Sequence, residues 1–98
     1  MFVVTLTYTV PLDKIDLLLP EHIGWLDEQY AAGVILASGR QVPRVGGVLL
    51  AQAADRATLE AILATDPFAE AGAASYQVTE FLPTRTVPEL AHLGVGPA

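Results

Sequence analysis

Residues 2–10, FVVTLTYTV, alternate: Phe2, Val4, Leu6, Tyr8 and Val10 fall on one side, Val3, Thr5, Thr7 and Thr9 on the other. A period of two built from β-branched and aromatic residues predicts a strand, and Pro11 closes it. From residue 12 to 32 the period lengthens. Leu19, Ile23, Leu26 and Tyr30 follow at helical spacing and form a single stripe. Pro20 interrupts the stretch, which predicts a kink or a restart with Pro20 in the first turn of the second piece. Gly33 supplies the stop. VILAS, 34–38, is a short apolar run ended by Gly39 and predicts a second strand. GRQVPRVGG, 39–47, is a turn region by its Gly and Pro content. GVLLAQA, 47–53, predicts a third strand. Asp55 then suits the N-cap of a helix over 56–65, with Leu59, Ile62 and Leu63 as its buried stripe. DPFAEAG, 66–72, reads as a break followed by at most one helical turn, and ASYQVTEFL, 74–82, as the last strand.

The order is βαββαβ. It predicts an α+β, ferredoxin-like domain over 1–83: a four-stranded antiparallel sheet with two helices on one face. The tail over 84–98 carries two more prolines and two glycines after Pro83 and is expected to be extended, lying against a partner. The helix-free face of the sheet would carry Val3, Thr5 and Thr7 with residues such as Leu49 or Phe81. That is too apolar to leave wet, so a second subunit packed sheet to sheet is expected to cover it.

Composition supports that expectation. Of the 98 residues, 52% are hydrophobic, and the mean hydropathy is +0.44. A chain this short buries only about 60–65% of its unfolded surface, enough for one core. The apolar excess is best placed at a homodimer interface. The net charge is −6, and the five cations are Lys14, Arg40, Arg44, Arg56 and Arg85. No basic stripe is available to follow a phosphate backbone, which argues against nucleic acid as a partner. Without cysteine there is no disulfide, thiol nucleophile or thiolate metal site, and a reducing cytoplasm is favoured. MFVVTLTYTV lacks the charged start of a signal peptide, and no apolar run approaches the roughly 20 residues of a membrane span.

The candidate chemistry begins with an acid in an apolar place. With Leu59 at zero and about 100° per residue, Ile62 lies near 300°, Leu63 near 40° and Asp66 near 340°. Asp66 would therefore fall inside the apolar stripe if the helix persists that far. A buried carboxylate needs donors or a cation. The first helix offers one: with Leu19 at zero, His22 lies near 300°, on the edge of the buried face. If the two helices run antiparallel on one sheet face, His22 and Asp66 can meet. The acid would then fix the imidazole tautomer and raise the basicity of the free nitrogen, which becomes a general base or acid near neutral pH.

Plainer readings stand beside this one. Asp66-Pro67 is also an N-cap with Pro at the first position of a short turn, compatible with either role. His22 could be a satisfied structural histidine, and Trp25 suits packing or an interface better than substrate stacking. Ser38, at a strand end, could donate to a substrate oxygen. Arg40 and Arg44 sit on a turn, where a solvated loop competes with an anion site. His92 in the tail is expected to be exposed. Two histidines far apart, without ligand spacing, give little support to a metal site.

PEHIGWLDEQYAAGVILASGRQVP, followed by GGVLLAQAADRATLEAILATDPFAEAGAASYQVTEF, resembles the YciI-like (YCII-related) domain family over residues 2–82. The shared features are a His on the first helix, a Gly-bounded apolar second strand, and DPF followed by a Gly and a final strand with an aromatic end. The resemblance implies a dimeric α+β barrel, akin to muconolactone isomerases, and a His–Asp catalytic dyad that maps onto His22 and Asp66. It carries nothing over to the tail.

Three functions fit these residues. The first is an enzyme without metal or organic cofactor that performs isomerase- or lyase-type proton transfer on a small molecule. His22 and Asp66 would be catalytic, with Ser38 and Arg40 holding the substrate. The second is a non-catalytic dimer that binds or senses a small molecule in the same pocket. The third is an interaction module with no cleft beside His22.

Overall fold

The computed structural model describes residues 1–94. Its elements are β1 (Phe2–Tyr8), α1 (Leu12–Ala31), β2 (Ile35–Arg40), β3 (Gly46–Ala51), α2 (Arg56–Leu63), α3 (Pro67–Glu70) and β4 (Ala74–Glu80), followed by a 3-10 helix, Pro88–Leu93. The strands form one sheet in the order β2-β3-β1-β4. Every neighbouring pair is antiparallel. This is the ferredoxin-like α+β fold that the element order predicts. The tail departs from expectation: Pro88 at the head of a short 3-10 helix gives it a turn of regular structure instead of a fully extended path. The expectation for its last residues, 95–98, lies outside the described residues.

The alternation in β1 places its side chains as predicted. Phe2, Val4 and Leu6 are buried beneath the helices, while Val3 and Thr5 face the other way and are half-buried. Register corrects one residue. Leu49 lies opposite Val4 and is 3% exposed, so it belongs to the helix-covered core. Its neighbours Val48 and Leu50, opposite Thr5 and Val3, take the open face instead. Directly opposed residues share a face, so pairing with Val4 decides the matter.

Helix α1 runs without a break through Pro20. Proline lacks an N–H, so the Asp16 carbonyl loses its helical donor; both residues are exposed, and water can replace it. The helix ends at Gly33, whose φ of 75° is the left-handed turn that glycine adopts without strain. Val34 N–H then reaches back to the Gln29 carbonyl at 3.0 Å. The buried line of α1 is Ile15, His22 and Trp25. The predicted stripe lies one residue round from it: Leu19 and Leu26 are half-buried, while Ile23 and Tyr30 are 48% and 41% exposed.

Helix α2 is capped as read, with Asp55 accepting from Thr58 N–H at 2.7 Å. That bond holds the Asp55 carboxyl below its usual range. The helix stops at Leu63, before Asp66. Between α1 and the sheet the core closes on Phe2, Val4, Leu6, Ile15, Trp25, Leu49, Leu59 and Phe68.

Candidate active site

Asp66 points inward for a different reason from the one its helical angle suggests. It is the N-cap of α3, and Pro67 is the first residue of that turn. Its Oδ1 accepts from Phe68 N–H at 3.1 Å, which pins the carboxylate over the start of the turn. Because α3 packs against α1, the capped acid faces the first helix. Thus the capping reading and the pairing reading are both realised by one side chain.

The pair itself is short and enclosed. His22 Nδ1 lies 2.7 Å from Asp66 Oδ1. Asp66 is fully buried and His22 is 8% exposed. An ionised carboxylate can only accept, so Nδ1 carries the hydrogen and donates it. Asp66 Oδ2 accepts from the Tyr76 hydroxyl at 2.5 Å. Burial, and then the bond to Asp66, push the Tyr76 phenol far above the ordinary tyrosine range, so it remains a donor. Phe68 stacks on the imidazole with ring centroids 4.0 Å apart and planes 10° from parallel. Trp25, packed in the core as expected, donates from Nε1 to Thr65 Oγ1 at 2.8 Å and ties α1 to the residue before Asp66.

The other ring nitrogen is free. Nε2 makes no hydrogen bond within the described residues, and none of their side-chain nitrogens or oxygens is both sealed and unpartnered. Nε2 is therefore not sealed, and His22 lines an adjoining cavity whose volume is about 150 Å³. Leu19, Ile23 and Leu26 of α1 form one wall of that cavity, with Leu6, Leu49 and Phe68 below. The apolar stripe of α1 is thus largely a pocket wall, which explains why its members are not sealed. Gly47, opposite Leu6 in the sheet, leaves room on the floor.

Ser38 and Arg40 line the same cavity. Both belong to β2, so Ser38 stands in a strand as read while Arg40 lies in the strand and not on the turn, and their register opposite Leu49 and Gly47 turns them to the helix side. The Ser38 hydroxyl is 2.6 Å from the Tyr30 hydroxyl. Arg40 makes no ion pair among the described residues, whereas Arg44 pairs with Asp16 at 2.6 Å, which raises the Arg44 pKa. His92 is exposed in the tail, as expected. No group of three or more His, Asp or Glu side chains among the described residues is placed to hold a metal ion.

Sequence reasoning missed Tyr76, the stacking role of Phe68 and the presence of Tyr8 in the cavity wall. A signal for Tyr76 existed. Ala74, Tyr76 and Val78 share the inward parity of β4, and a phenol among inward residues needs a buried partner.

A ferredoxin-like α+β domain carrying a buried His–Asp pair at the wall of a small apolar cavity is the class that fold and site together define. The chain belongs to the YCII-related domain family, whose model matches residues 1–82. No curated protein sequence matches it. Among solved structures, 5-chloro-2-hydroxyhydroquinone dehydrochlorinase (TftG) from Burkholderia phenoliruptrix AC1100, in complex with 2,5-dihydroxybenzoquinone, is similar with a TM-score of 0.66. The match covers 83% of this chain and 93% of that one at 19% identity. At that identity the likeness establishes the fold.

Proposed function

We propose that this domain is a cofactor-independent enzyme for proton transfer on small oxygenated rings, of lyase or isomerase type. The observation that carries the reading is the division of His22: Nδ1 is locked on a sealed carboxylate, while Nε2 is left without a protein partner on a residue that lines the cavity. A cavity of about 150 Å³ lined by apolar side chains accommodates a single benzene-sized ring. The similarly folded dehydrochlorinase was solved with such a ring, a dihydroxybenzoquinone.

The chemistry follows from the geometry. The Nε2 lone pair takes a proton from a ring hydroxyl, or from a carbon next to a carbonyl. The freed electron pair forms a new π bond. In the lyase case a leaving group departs with its bonding pair; in the isomerase case a proton returns at another ring position. Asp66 stabilises the imidazolium formed in between, without itself taking the proton. Arg40 and the Ser38 hydroxyl hold the ring oxygens, and the cation favours a substrate whose oxygens are ionised. A second copy packed on the open sheet face would cover Val48 and Phe81, 39% and 41% exposed, and account for the apolar excess.

The test is turnover. Halogenated and plain hydroxyquinols and hydroxyquinones are incubated with the protein and followed by proton NMR and halide release. His22→Gln is expected to lower kcat by about 10²–10⁴. Ligands that bind without product would transfer the cavity to the binding or sensing role, and turnover that survives His22→Gln would take the chemistry away from His22.

A further inference from the structure

We infer that Tyr76 is a positioning residue of this site: the bond from its hydroxyl to Asp66 Oδ2 sets how strongly the carboxylate holds His22 in its protonated form. The consequence for turnover rests on the function proposed above, but the titration described below needs no substrate.

Asp66 is sealed from water, so its charge is balanced by protein donors. Oδ1 has two, from His22 and Phe68. Oδ2 has the Tyr76 hydroxyl. Packing does not call for that hydroxyl. Tyr76 sits opposite Leu6 of β1, between the inward residues Ala74 and Val78, and a phenylalanine ring would fill the same space. The hydroxyl hydrogen goes to Asp66, and the Ala69 backbone N–H is directed at the same oxygen.

Its effect has a definite sign. A donor on Oδ2 draws negative charge away from Oδ1 and so weakens the pull on the imidazolium. It also fixes the carboxylate plane so that Oδ1 faces Nδ1. Without that donor, Oδ1 carries more of the charge and holds the N–H at Nδ1 more tightly. Other titratable groups near the ring act in fixed ways. Asp66 of the α3 cap faces it directly, Tyr8 of β1 and Arg40 of β2 face it across the cavity, and Tyr76 of β4 acts through Asp66.

The experiment is an NMR titration of the His22 ring protons in the free protein, with exposed His92 as internal reference. In Tyr76→Phe the His22 midpoint is expected to rise by about one pH unit, the worth of one hydrogen bond to a charged group. The acid limb of any pH–rate profile should move with it. Placing 3-fluorotyrosine at position 76 preserves shape but makes a stronger donor, and should move the midpoint down. A purely structural role would lower thermal stability while leaving both midpoints where they are, and that result overturns the inference. Should Tyr76→Phe fail to fold, the fluorotyrosine shift decides alone: downward supports the inference, unchanged refutes it. If Asp66→Asn alters the His22 titration and neither change at Tyr76 does, the pair stands without Tyr76. If the Tyr76 shifts appear but turnover survives His22→Gln, only the catalytic reading falls.

Discussion

His22 presents one nitrogen to the sealed side of the domain and one to the open side, and the residues serving them differ in kind. Asp66, Phe68 and Tyr76 on the sealed side come from the eleven residues 66–76, and each makes a bond or stack that buries polar atoms or ring surface. Ser38 and Arg40 on the open side come from an edge strand and are exposed. Groups on the first side hold the fold together and set the state of the imidazole. Those on the second are free to meet a ligand because the fold does not depend on them. Changes on the sealed side should therefore cost stability, and changes on the open side should cost only binding.

The largest expected effect is Phe68→Ala. This side chain is 2% exposed, and its loss should destabilise the domain by about 3–5 kcal/mol in urea unfolding. A cost near that of a surface substitution would erase the contrast between the two sides. Asp66→Asn keeps the shape of the cap but replaces one acceptor oxygen with a donor. The Tyr76 hydroxyl must then turn from donor to acceptor, or His22 change tautomer, and the bonds lose their charge, at a cost of about 1–3 kcal/mol.

Alkaline pH probes the same side. The folded Tyr76 phenol titrates above its unfolded value of about 10, so its contribution is complete below that pH and is lost as pH rises beyond it. Ultraviolet titration should show Tyr76 as the last of the three tyrosines to ionise, its phenolate appearing with unfolding. A third phenolate formed in the still-folded protein would contradict the sealed geometry. The smallest stability effect is expected for Arg40→Gln, within about 0.5 kcal/mol of the parent. Its effect should appear as roughly tenfold weaker binding of an anionic ring in calorimetry, with neutral analogues little affected.

Much of this was legible along the chain. The alternation of β1, the Asp55 cap and the glycine stop at Gly33 are local signals whose causes lie within a few residues, and the structure repeats them. Asp66 was legible as a cap because Asp-Pro carries that meaning by itself. The phase of α1 was not. Its apolar residues cover a wide arc, and periodicity cannot tell a core-facing residue from one that faces a cavity. Ile23 has the pattern of a buried residue and is a pocket wall. Leu49 went to the wrong face because strand parity depends on where pairing starts, and β3 begins at Gly46. Any side chain there would strike the Leu6 carbonyl, which a Cβ would approach to 1.7 Å.

The amino-acid order alone determined the βαββαβ succession, the caps and the kind of groups available for chemistry, because each depends on backbone preference and near neighbours. Tertiary packing decided which groups share a site. His22, Asp66 and Tyr76 stand on three different elements, and the contact between the first two spans 44 positions. Only the docking of α3 on α1 over the sheet brings them within hydrogen-bond reach. The shared site exists because a sealed carboxylate must find its donors wherever the fold supplies them.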